Sequence, residues 1–94
     1  MKYILENRNV RACGSPLEWA RWFETADRTV AKTKIGASEV STVFLGIDRS
    51  FGGSRPMLFE TMVFGGPLDG EQDRYSTWDE AEVGHKRFVE RITP

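Results

Sequence analysis

Residues 40–81 read VSTVFLGIDRSFGGSRPMLFETMVFGGPLDGEQDRYSTWDEA. Two apolar segments rich in β-branched and aromatic residues, 39–47 and 57–64, flank a loop at 48–56 that contains Gly52-Gly53. This is the pattern of strands joined by turns. In the first segment Val43, Leu45 and Ile47 share one face, and Val40, Thr42 and Phe44 share the other. Two fairly apolar faces predict a central strand. The second segment ends at Gly65-Gly66-Pro67. Within it, Glu60 lies on the face of Leu58, Met62 and Phe64, where a carboxylate reaches solvent, pairs with a base such as Arg74, or lines a site.

Outward from this pair, residues 29–35 form a further β-rich segment, joined to the first by Gly36-Ala37-Ser38 as in a hairpin. Lys32 and Lys34 alternate outward, a device of edge strands. Downstream, residues 74–76 suit a short return strand. Thr77-Trp78-Asp79-Glu80 is then a capping box, with acidic residues in a first helical turn. Trp78, Ala81, His85, Phe88 and Ile92 follow at spacings of three and four, and Lys86, Arg87 and Arg91 suit the negative helix end. Gly84 suits close helix–sheet approach.

Upstream, residues 3–5 and 10–12 predict two short strands around a turn. Ser15-Pro16-Leu17-Glu18 is a second capping box with Pro at the first helical position. Over residues 16–27, Trp19, Trp22, Phe23 and Ala26 fall on one stripe, which predicts a core-facing helix. The expected fold is one α+β domain covering residues 1–94. It is an antiparallel sheet of three to five strands with two amphipathic helices packed on one face, in the order β(β)αβββ(β)α.

Ninety-four residues make a small core, which eleven aromatics, three of them Trp, help to fill. The net charge of −1 argues against a dominant nucleic-acid or anionic-membrane surface. Cys13, the single cysteine, cannot form an internal disulfide, and the first residues lack a long apolar run. The expectation is a soluble cytoplasmic protein, with no membrane and no nucleic-acid partner.

No residue set marks an enzyme, a cofactor or a metal, so none of these is expected. His85 on an apolar stripe reads as a core residue, and Cys13 with His85 lacks any sign of an oxyanion hole. Zinc would need more Cys or His ligands. Asp69, Glu71, Asp73 and Glu80 do occupy offsets 1, 3, 5 and 12 of a calcium loop, with Thr77 at offset 9. Arg74 stands where that loop needs Gly, and the preceding segment is strand-like. Gly52-Gly53 and Gly65-Gly66 match no phosphate-binding motif. Arg49 and Arg55 flank Phe51, an arrangement open to gripping an anion or to decorating a loop tip.

The segments WFETADRTVAKTKIG (22–36), VSTVFLGID (40–48) and LFETMVFGGPLDGEQDRYSTWDEAEVGH (58–85) resemble a family of small uncharacterised proteins of phage and prophage genomes. The resemblance spans about residues 19–92 and supplies no functional residues. It implies an accessory protein working inside an infected bacterium by binding a host factor, such as a component of a defence system.

The leading expectation is therefore a binding module. Residues 69–82 hold six carboxylates and one Arg, which favours a host protein with a basic surface. Asp69, Glu71, Asp73, Glu80 and Glu82 are the expected contacts. A second reading is sequestration of a small ligand such as a nucleotide signal by Arg49, Phe51, Arg55 and Arg74. A third, least favoured, is a metal-dependent or Cys/His enzyme. A homodimer, formed edge to edge through residues 58–64 or by burying one sheet face, is open to all three.

Overall fold

A computed structural model of the chain describes residues 1–50 and 55–94. The elements follow the order β1 (Lys2–Glu6), β2 (Asn9–Cys13), α1 (Pro16–Thr25), β3 (Thr29–Ile35), β4 (Ser38–Phe44), β5 (Phe59–Phe64), β6 (Gln72–Tyr75) and α2 (Trp78–Ile92). This is the expected α+β order with both optional strands present. β3 to β6 form a four-stranded antiparallel meander in sequence order, while β1 and β2 form a separate hairpin. β4 is central and β3 is an edge carrying exposed Lys32 and Lys34, as the alternation predicts.

One face of the meander is the core. Val40, Thr42 and Phe44 of β4 stand opposite Val63, Thr61 and Phe59 of β5, and all six are completely buried. Helix α2 covers this face with Ala81, Gly84, His85 and Phe88. Helix α1 reaches the same face through Trp22, which meets Phe44 edge-on at 5.8 Å. Trp78 of α2 meets Phe59 in the same way at 6.2 Å. Such aromatic pairs add to the area they bury and fix ring orientation.

Both N-caps form, while the Glu side chains turn to other donors, Glu18 to Arg11 and Glu80 to the Ser76 N–H and the Thr77 hydroxyl, so neither box closes reciprocally. Ser15 Oγ accepts the Glu18 N–H at 3.2 Å, and Thr77 Oγ1 accepts the Glu80 N–H at 3.1 Å. The aromatic stripe of α1 is less buried than its pattern predicts. No α1 residue is fully buried, because the helix lies mainly on the two-stranded hairpin rather than over the wide sheet. Trp19 donates its indole N–H to the Tyr3 carbonyl at 2.9 Å. The hairpin joins the meander through the Tyr3 N–H to the Gly46 carbonyl and a bridge between Lys2 and Ile47.

Strand ends differ from expectation by a few residues. β4 stops at Phe44 because Gly46 turns the chain with φ +75°. β6 begins two residues early, at Gln72. β5 is paired on both sides, to β4 and β6, so it offers no free edge for the expected edge-to-edge dimer. Its open face keeps Met62 half-buried and Phe64 half-exposed. The turn after β5 places Gly65 and Gly66 at φ near +78° and +75°, where a Cβ would collide with Ala37 and Ser38.

Candidate functional site

The β3–β6 sheet alternates residue by residue, so Thr33, Thr42, Thr61 and Tyr75, one from each strand, all point toward α2. His85 descends from α2 between them. Its Nδ1 lies 2.7 Å from Thr42 Oγ1 and its Nε2 lies 2.9 Å from Thr33 Oγ1. Thr42 Oγ1 is 2.6 Å from Thr61 Oγ1, which accepts the Tyr75 hydroxyl at 3.0 Å. A hydrogen-bonded chain thus crosses the whole sheet under the helix.

A neutral imidazole fits this chain, since one ring nitrogen donates while the other accepts. Burial holds the His85 pKa below its ordinary value. Burial also pushes the Tyr75 phenol up, keeping its proton for Thr61. Both nitrogens of His85 are engaged, and only 5% of the residue is exposed. The network suits fixing α2 on the sheet rather than moving protons to a substrate.

The Tyr75 end of the chain borders an open groove of about 580 Å³ between β6 and α2. Tyr75, Val83, Gly84 and Phe88 give it apolar walls. Asp79 and Glu80 form an acidic end at the first turn of α2, Arg87 and Arg91 line the groove further along the helix, and Asp73 lines it from β6. Arg91 reaches back to Glu71 at 3.0 Å, which sets α2 antiparallel to β6 along the groove.

The expected acidic contacts separate into two groups. Four have internal partners. Asp69 accepts the Gly65 N–H at 2.6 Å and closes the turn after β5. Glu71 pairs with Arg91, and Asp73 accepts the Arg74 N–H at 2.9 Å. Glu80 takes a two-pronged hydrogen bond from Arg55, at 2.8 and 3.1 Å, which holds its carboxyl below the usual range. The fifth, Glu82, half-buried on α2, makes no ion pair among the described residues, and neither does the exposed Asp79, which was not among the expected contacts.

The calcium spacing does not become a calcium loop. Offsets 4–7 are strand β6, which keeps the chain extended instead of wrapping an ion. Among the described residues no three His, Cys, Asp or Glu side chains converge on one point.

The cationic set is not gathered either. Arg55 binds Glu80 of α2 on the covered side of the sheet, whereas Arg74 binds Glu60 at 2.9 Å on the open face. That ion pair is one of the roles open to Glu60 from its sequence. Arg49 is exposed, and Phe51 lies outside the described residues. Asp48 staples the loop ends by accepting the N–H groups of Ser50 and Met57 at 2.8 and 2.9 Å, which lowers its pKa. Cys13 is buried at the end of β2 beside the Ser15 carbonyl, while His85 is enclosed by threonines of the other sheet.

Reading the sequence missed the threonine–tyrosine chain and the α2 wall of the groove. The signals were present in part: three threonines fall on the apolar face of their strands, and Val83, Arg87 and Arg91 recur every four residues beside the apolar stripe of α2. No helix among the described residues is long and apolar enough to cross a membrane. Comparison with known proteins finds no matching family model, curated protein or solved structure.

Proposed function

We propose that the chain is a binding module that acts on another protein through the groove between β6 and α2. The observation that carries this reading is the groove itself. It combines apolar walls with a carboxylate-bearing end on a rigid helix–sheet frame. The acidic end, where Asp79 makes no ion pair among the described residues, suits a basic partner surface. The likeness to small phage and prophage proteins supplies the setting. The partner is then a host protein in the bacterial cytoplasm, and the outcome is inhibition of a defence component.

Charge reversal tests it. Asp79→Lys leaves the sheet, the His85 chain and the Arg55–Glu80 and Arg91–Glu71 pairs in place. Tagged wild-type protein should retain a specific partner from bacterial lysate at near-stoichiometric yield. The variant, still folded by circular dichroism, should lose most of it. Equal retention by both proteins would remove the acidic end of the groove as the binding surface.

A further inference from the structure

β6 is the outer strand of the meander, and its backbone facing is known from its ladder. The carbonyls of Glu71 and Tyr75 accept the N–H groups of Val63 and Leu58. Alternation therefore turns the backbone N–H and C=O of Gln72 and Arg74 away from β5, toward the free edge. Among the described residues the Arg74 N–H is met there only by the carboxylate of Asp73, the residue before it in the chain. Asp73 belongs to the groove side of the strand, and Val83 and Phe88 wall the groove on the helix side.

An edge with outward donors and acceptors beside an apolar groove is a template for another strand. The opposite edge, β3, presents Lys32 and Lys34 and repels a basic segment. A second copy of this chain is disfavoured at β6. Two-fold pairing of β6 with itself sets Asp73 opposite Asp73 in one register and Arg74 opposite Arg74 in the next. A strand with a Lys or Arg opposite Asp73 has the complementary charge. It draws the carboxylate off the Arg74 N–H and offers a backbone carbonyl in its place.

Resting on the binding-module reading, we propose that an extended, basic segment of the partner protein adds to β6 as a fifth strand of the sheet, with alternate side chains in the groove against α2. Asp73 covers the edge in the free protein and pairs with the incoming cation in the complex.

The test uses the full chain, labelled with nitrogen-15, and two synthetic peptides, acetyl-VKVKV-amide and acetyl-VEVEV-amide. The basic peptide should shift amide signals along β6 and residues 83–91, and should slow hydrogen exchange at Gln72 and Arg74. The acidic peptide should do neither. Asp73→Lys should weaken the basic peptide roughly tenfold, by exchanging an opposed charge for a like one. Gln72→Pro deletes an outward N–H without touching the β5 ladder and should abolish the exchange protection at Arg74. If Gln72→Pro fails to fold, Asp73→Lys decides alone. Shifts confined to the first turn of α2, equal effects of both peptides, or no shifts at all would each overturn strand addition. Those results leave the binding reading to its own lysate experiment, so the two fail separately.

Discussion

Gly84 and His85 are neighbours on α2 that meet the sheet in opposite ways, one by having no side chain and the other by having a polar one. A Cβ on Gly84 would overlap the Tyr75 ring, so glycine is needed despite its cost of about 1 kcal/mol relative to Ala within a helix. Propensity alone makes Gly84→Ala stabilising, whereas the overlap makes it destabilising by roughly 1–3 kcal/mol. Urea denaturation should show the loss, and a gain would mean that α2 is free to lift from Tyr75. His85 sets a pH dependence. Its folded pKa lies below the ordinary 6.5 because burial penalises the imidazolium. Below about that pH the unfolded chain therefore binds more protons than the folded one. Stability should be constant in this respect above pH 6.5 and fall as the pH drops through the folded pKa. His85→Gln, which keeps a donor and an acceptor but cannot titrate there, should lose that part of the slope in urea midpoints measured between pH 7.5 and 5.

The two helices illustrate how burial, more than pattern, decides what an element contributes. α2 buries four residues on a four-stranded sheet, while α1 buries none completely. Their sequence signals are comparable, since each has a working N-cap and an amphipathic stripe. The difference is what each packs on: α1 rests mainly on a two-stranded hairpin, which supplies little apolar surface. Local opening should follow this division. Amide hydrogen exchange is expected to be fastest in β1, β2 and α1, and slowest in β4, β5 and residues 81–88. Uniform protection across both helices would mean that the hairpin and the meander open as one unit.

At the scale of the whole molecule, one covered sheet face holds most of the core, joined by Leu5 of the hairpin, and the polar chain from Thr33 to Tyr75 runs through it. Such a buried, fully partnered chain gives α2 one docking position, because sliding the helix would strand several hydroxyls at about 1–3 kcal/mol each. The groove is a by-product of that position: it lies between β6 and one flank of α2. Much of this architecture was legible beforehand. Turn glycines, β-branched runs, two capping boxes and the Lys-marked edge are local chemistry, and they determined the element order, the central β4 and the exposed β3. Glu60 was readable as a partner of Arg74 because alternation puts both on one face. The site was far less legible. Asp69, Glu71 and Asp73 look like one acidic cluster in sequence, yet each is tied to a different internal partner. His85 was recognisable as a core residue, but its partners come from strands 43 and 52 residues away in the chain. Sequence by itself determined the elements because these depend on neighbours along the chain. Which charges stay available and where the groove opens were decided only by tertiary structure, because they depend on contacts between residues far apart.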